Sequence, residues 1–335
     1  MDDSISNKKK QNKVMTEQEA VSRFLKDGNI FTVGGFLTNR ESDCVFREIA
    51  RQGQKNLHYA EESATFGIDI LIGLGVIDRF DQAYIANRQL GAITGMANLE
   101  RCLKEGIPRP VDMGGYLKTE EYAGSEKWIK VVDWSNFMLT LRFVAGALNV
   151  PYIPCRSGIG SDILKYNTEL IVQNDPFENK PLVLVPALKP DVAFISVQRA
   201  DRRGNGQVFG HKGVDEWKAR SAKHVVLFTE EIVDTEVIME TPANTIVPEY
   251  CTDAVVYLPY NSHPHGVLGC YGVDRLALIQ QTLARQTQKG FEAWMDEWVF
   301  GCKDHSAYCE KMGWEKLEVL KQHEHSLNKI PRKAQ

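Results

Sequence analysis

The chain has 335 residues, a formal charge of −4 and 25% charged residues, a globular composition long enough for one large α/β domain or two ordinary ones. It carries no basic field to attract nucleic acid, and no apolar run approaches the roughly 18–20 residues that span a bilayer. The polar start Met1-Asp2-Asp3-Ser4 has no apolar signal core and the seven cysteines have no framework spacing, so the expectation is a cytoplasmic protein with reduced thiols that meets neither nucleic acid nor membrane.

Residues 1–13, with Lys8-Lys9-Lys10 and almost nothing apolar, read as a disordered tail. Thr16-Glu17-Gln18-Glu19 is a capping-box pattern, followed by Ala20, Val21, Phe24 and Leu25 at helical spacing until Gly28. A strand is expected at 30–33, with the pair Gly34-Gly35 at the point where the next helix should begin. Ser42 to Gln52 reads as a helix stopped by Gly53, and Leu57 to Ala60 as a strand. The alternation continues with a short helix or turn at Ile68 to Ile72, a strand at Ala83-Tyr84-Ile85, and a helix from Met96 to Lys104 closed by Gly106.

A long apolar helix, Phe137 to Leu148, leads through Pro151-Tyr152-Ile153-Pro154 to a second glycine-rich loop, Ser157 to Asp162. Strands resume at Leu182 to Val185, Val192 to Val197, Val225 to Phe228 and Ala254 to Leu258, runs apolar enough to be buried on both faces of a sheet. Arg275 to Leu320 is largely helical, and Trp294 and Trp298, one turn apart, suit packing. The fold class is α/β: an open, mostly parallel central sheet with helices on both faces and a helical C-terminal region. It occupies one domain over 14–325, with a second tail at 326–335.

Candidate chemistry gathers in loops. Gly34 and Gly35 bare the backbone at a strand end, which suits an anionic oxygen as well as a plain turn. Ala86 to Gly91 and Ser157 to Asp162 are two more loops that belong to the same sheet edge. A dinucleotide reading fails because Gly73-x-Gly75 lacks the third glycine, and there is no Walker lysine and no Gly-x-Ser-x-Gly elbow. The stretch from Ala200 to Gly206 suits a structural turn. His263-Pro264-His265 reads as a turn before an acid/base pair, and Cys302, His305 and Cys309 as ordinary helix residues before a zinc site.

Several short pieces then carry a resemblance. They are Thr32 to Phe36, Pro190 to Ala193 with Gln198, Ala200, Asp201 and Gly204, Thr229 to Ile232, His263-Pro264, Cys270 to Gly272, and Glu297 to Phe300 with Lys303-Asp304-His305. In this order they resemble the A subunits of class I CoA-transferases of the glutaconate CoA-transferase type, from about Lys13 to Gly313. The resemblance implies an open α/β fold, a hetero-oligomer whose other member is a homologous B subunit, and an active site at their interface. It implies acyl-CoA and carboxylic acids as substrates, with coenzyme A itself a substrate and no resident cofactor or metal. In that family the nucleophile on acyl-CoA is a glutamate carboxylate of the B subunit, giving an anhydride and then a glutamyl-CoA thioester. Gly34, Gly35 and Phe36 would help to stabilise the tetrahedral oxyanion.

Two departures stand out. Where such A subunits carry a glycine-rich loop after the second strand, this chain has Glu61-Glu62-Ser63, placed much as the B subunit places its nucleophile. Glu61 is a candidate second carboxylate, and also reads as a solvated loop glutamate. Arg88 stands where the family has a substrate-contacting serine, and an arginine there suits a substrate carboxylate. The expected substrate side is Asn87, Arg88 and Gln89 together with Ser157, Gly158, Gly160 and Ser161. Two alternatives stay open: one half of a hydrolase that opens rings of CoA thioesters by C–C cleavage on the same fold, and a non-catalytic scaffold subunit.

Overall fold

In the computed structural model the described residues are 12–63, 66–84, 96–114 and 127–327. Strands, in chain order, are β1 (Ile30–Val33), β2 (Leu57–Glu61), β3 (Ile77–Gln82), β4 (Val111–Asp112), β5 (Ile129–Asp133), β6 (Tyr152–Cys155), β7 (Ile171–Asn174), β8 (Pro181–Pro186), β9 (Val192–Ala200), β10 (Gly206–Gln207), β11 (His224–Ile232), β12 (Thr245–Val247) and β13 (Ala254–Tyr257). The helices are α1 (Glu17–Phe24), α2 (Asp43–Gln52), α3 (Ile68–Gly73), α4 (Ala97–Glu105), α5 (Asn136–Ala147), α6 (Ile163–Tyr166), α7 (Asp215–Ser221), α8 (Thr235–Glu240), α9 (Arg275–Ala284), α10 (Gln288–Met295), α11 (His305–Met312) and α12 (Trp314–Leu327). A π-helical turn, Asp296–Phe300, extends α10. No described helix is long and apolar enough to cross a membrane.

From β1 one wing of the main sheet runs through β2, β3, β5 and β4, all parallel. The other runs through β9, β11 and β13, also parallel, while the short β10 and β12 add antiparallel pairs beyond the end of β1. Because β1 borders both wings, the crevice outside its carboxyl end is where an open α/β sheet offers a ligand site.

The apolar runs of β9 and β11 are continuous because both faces are covered. Val192, Phe194, Val226 and Phe228 enter one core, under α1, α2 and α10; Ala193, Ile195, Val197, Val225 and Leu227 enter a second, with Ala219 of α7. Alternation of side chains along a strand produces this division. The capping box forms: Thr16 Oγ1 accepts from Glu19 N at 3.2 Å and Glu19 Oε2 accepts from Thr16 N at 2.9 Å. Gly53 and Gly106 end α2 and α4 in the left-handed conformation.

Four expectations change. Gly34-Gly35 does not open a helix; a loop with Leu37 and Arg40 at positive φ intervenes, and α2 starts at Asp43. The strand expected at Ala83-Tyr84-Ile85 is preceded by β3, where Arg79 and Asp81 break the apolar pattern; Ala83 and Tyr84 are not in a strand, and Ile85 lies outside the described residues. Asp81 is fully buried because His58, Arg79 and Arg142 surround it at 3.2, 2.8 and 2.5 Å. Leu182 to Val185 belongs to a separate antiparallel sheet, β6-β8-β7, in which only Val183 and Val185 of that run are buried, against α5. Order also begins before the capping box, since Lys13 N donates to Arg202 O and its Nζ to Glu249 O and Thr252 O.

Candidate active site at the carboxyl edge of the sheet

The glycine pair is demanded by what packs on it. A methyl group on Gly34 would lie 3.0 Å from both Asp215 Oδ1 and Ile195 Cδ1, and one on Gly35 would lie 2.6 Å from the Arg40 and Glu41 backbone. Gly35 also has φ +107°, a region that side-chain-bearing residues avoid. The amides of this turn all donate within the chain. Gly34 N reaches Phe194 O at 2.7 Å, Gly35 N reaches Asp215 Oδ1 at 2.8 Å, and Phe36 N reaches Asn39 O at 2.9 Å. Phe36 itself is half-buried, its ring centroid 5.0 Å from that of His211.

Arg40 closes the turn from behind. Its Nη1 donates to Ser196 O at 2.9 Å and to Asp215 Oδ2 at 2.5 Å, its Nη2 to His211 O at 2.8 Å, and both charged side chains are fully buried. Several of the short sequence pieces form the next layer. Glu230, at the end of β11, accepts from Tyr260 N at 2.8 Å, Asn261 Nδ2 at 2.6 Å and Tyr271 OH at 3.1 Å. Burial lifts its carboxyl to about 7 against the pull of those donors. The loop it holds grips the glycine turn in return, with Arg40 N donating to Gly266 O and Gly266 N to Thr38 O. His263 and His265 diverge: His263 meets Tyr308 OH at 2.8 Å and Asp274 at 3.2 Å, while His265 Nδ1 lies 2.5 Å from Asp43. Both rings are buried structural partners.

Glu61, the last residue of β2, is not a solvated loop residue: it is 4% exposed. Lys218 Nζ, fully buried on α7, donates to its two carboxylate oxygens at 2.6 and 2.7 Å and to Val33 O at 3.1 Å, and lies 3.0 Å from Glu62 Oε2. Burial, reinforced by the Glu62 charge, pushes the Glu61 carboxyl well above the usual carboxylate range even with Lys218 beside it. At Glu62 burial works the same way, and Lys218 outweighs it to leave that carboxyl below its ordinary value. Burial would lower the Lys218 ammonium, but Glu61, Glu62 and Asp215 together raise it. The short helix α7 thus touches two strand ends at once, through Asp215 to β1 and through Lys218 to β2.

The Ser157 to Asp162 loop stands further along the same edge. Ser157 Oγ is 3.1 Å from Ser135 Oγ, the residue that caps α5 just after β5. Gly158 has φ +85° and packs on Met138; Gly160 has φ +81° in open space; Ser161 is exposed and donates to Gly158 O. With β5 three strands from β1, the loop is roughly 14 Å away at ordinary strand spacing, so its bonds run to α5 rather than to Gly35 or Glu61. Asn87, Arg88 and Gln89 lie outside the described residues. Sequence reading missed Arg40, Asp215 and Lys218, because each pairs with residues far away in the chain and none stands in a local motif; Glu230 stood in the Thr229 to Ile232 piece, but its partners there could not be read.

The sequence profile of the coenzyme A transferase family, described as "Coenzyme A transferase", matches residues 14–258. This chain belongs to that family. The CoA-transferase family chain is 32% identical over 301 residues to the A subunit of 3-oxoadipate CoA-transferase from Pseudomonas knackmussii, covering 89% of this chain and 98% of that one. It is 30% identical over 325 residues to the A subunit of glutaconate CoA-transferase from Acidaminococcus fermentans, covering 92% and 94%. The crystal structure of glutaconate coenzyme A-transferase from that organism superposes with a TM-score of 0.81 at 28% identity, over 92% of this chain and 95% of that chain. An uncharacterized protein of Archaeoglobus fulgidus is 36% identical over 310 residues; the match covers 92% of this chain and 64% of that longer protein. The family named from sequence and the α/β fold expected from it are therefore those of this CoA-transferase chain.

Proposed function

We propose that the chain is the A subunit of a two-subunit CoA-transferase, moving CoA from an acyl-CoA to a free carboxylic acid by way of a thioester on a glutamate of the partner subunit. The observation that carries this reading is the nearly end-to-end match to the A subunits of two such enzymes. The state of Glu61 supports a nucleophile supplied by the partner, since this carboxyl is buried and bound to Lys218 at both oxygens. In the reaction the partner's carboxylate attacks the thioester carbonyl and expels CoA thiolate, leaving an acyl-glutamyl anhydride. The thiolate then attacks the glutamyl carbonyl, releases the first acid and leaves glutamyl-CoA, from which the second acid takes CoA by the reverse steps.

In this reading the Gly34-Gly35-Phe36 turn is a rigid wall of the acyl site. Its amides are engaged by Phe194, Asp215 and Asn39, so the oxyanion takes its donors elsewhere and Phe36 offers apolar contact. The substrate-acid side is the neighbouring part of the edge at the Ser157 to Ser161 loop, near the end of β5, and Asn87, Arg88 and Gln89, which follow β3 in sequence outside the described residues, are assigned to the same role. Arg88 would pair with the far carboxylate of a dicarboxylic acid.

The test is isotope transfer. The chain, co-expressed with the product of the adjacent reading frame, is given acetyl-CoA or succinyl-CoA and labelled glutaconate, 3-oxoadipate or acetate. Label recovered as a CoA thioester supports transfer, and release of free CoA or a ring-opened product without any labelled thioester overturns it. Glu61→Gln separates the two carboxylates: a loss in kcat of no more than about tenfold is expected, whereas roughly 1,000-fold or more would place the nucleophile on this chain.

A further inference from the structure

Resting on that reading, we propose that Lys218 is a positioning residue for the reaction, the cation that fixes Glu61 and Glu62 at the end of β2 while Asp215, one turn earlier on α7, fixes the Gly35 turn. The geometry has three parts. Lys218 spends its ammonium hydrogens on Glu61 Oε1, Glu61 Oε2 and Val33 O, so it ties the last residue of β2 to the last residue of β1. Glu62 at 3.0 Å is its second counter-charge, and all three side chains are at least nine-tenths buried. Asp215 on the same helix binds Gly35 N and Arg40 with no solvent exposure.

Two adjacent carboxylates in a dry site repel each other and lose hydration, and one shared cation offsets both costs. Such a pair would splay apart without Lys218, moving the residue that follows β2 and the Val33 carbonyl that precedes the glycine pair. Movement of this kind alters the shape of the acyl site more than it alters CoA binding, which separates a positioning role from one in substrate affinity. The same contacts keep both Glu61 oxygens engaged with Lys218, so it does not compete with the partner's glutamate for acyl-CoA.

Charge rescue tests the proposal in the assembled complex. Lys218→Met should lower kcat at least tenfold with KM for acyl-CoA within threefold. Adding Glu62→Gln to it should recover at least fivefold of that loss, because a single remaining carboxyl can stay neutral; if Lys218→Met alone does not assemble, the double variant should restore assembly. Unchanged kcat in Lys218→Met, or a double variant as damaged as the single one in turnover or in assembly, overturns the proposal, since a packing role is blind to charge. Mass spectrometry of the acetyl-CoA-treated wild-type complex adds a direct reading: the peptide carrying Glu61 should bear no CoA adduct, and a thioester there also overturns it. A wild-type complex that moves no CoA to any acid would retire the transferase reading alone, and the rescue would still be read from assembly.

Discussion

Gly35 stands at φ +107°, with the Arg40 and Glu41 backbone 2.6 Å from where a β-carbon would be. An alanine there meets two costs, strain of about 1–3 kcal/mol in that region of backbone space and a clash with atoms that cannot rotate away, worth about 1–3 kcal/mol more. Gly160 has a similar φ of +81° but nothing within 4 Å, so its alanine variant carries the conformational cost alone. Gly35→Ala should therefore lower the melting temperature at least twice as far as Gly160→Ala, by about 5 °C or more. Equal shifts in the two variants would mean that the Arg40 turn yields. The glycine pair was legible in the sequence as a place where the backbone is approached closely. What approaches it was not: the acceptor on Gly35 is a carboxylate 180 residues away, and no local pattern announces Asp215.

At the scale of elements, α1 and α2 share a buried acid. Glu17 lies 3% exposed beside Arg51 at 3.6 Å, and burial, more than Arg51 can offset, lifts its carboxyl from 4.5 to about 8, with Glu48 pushing the same way and Arg47 opposing. Between those two pH values the unfolded chain has given up a proton that the folded chain keeps. The stability this proton supplies is complete below about pH 4.5 and is lost as pH rises through about 8. Glu17→Gln removes that dependence, so its melting temperature should gain on wild type from pH 5 to pH 8.5. A variant that falls further behind at pH 8.5 would show an ionised Glu17 stabilised by Arg51.

The elements themselves were legible where a short-range rule governs them: the Thr16 capping box, the Gly53 and Gly106 stops, and the doubly buried strands β9 and β11. They were illegible where a distant partner overrides the rule. β3 was shifted because Asp81 is held by Arg79 on its own strand, His58 of β2 and Arg142 of α5, the last two from elsewhere in the chain. The apolar run of β8 says nothing about which sheet it joins, and α7 carries a lysine whose purpose appears only beside Glu61, 157 residues earlier. The candidate site was thus readable as a set of loops on one edge, and the ion pairs that hold those loops were not.

For the whole molecule, the decisive feature is β9, nine residues long and buried at every position. It pairs with β1 on one side and β11 on the other, and its alternate side chains enter two different cores. Unfolding either core strips one face of the strand that the other needs. Heating should then give one cooperative transition with matching calorimetric and van't Hoff enthalpies; two separated transitions would mark two independent domains. β9 also comes late in the chain yet lies against β1, which comes early. Fragments ending before it and beginning with it would each be missing half of a shared wall, so a chain severed near residue 190 should regain its shape only when both pieces are present together.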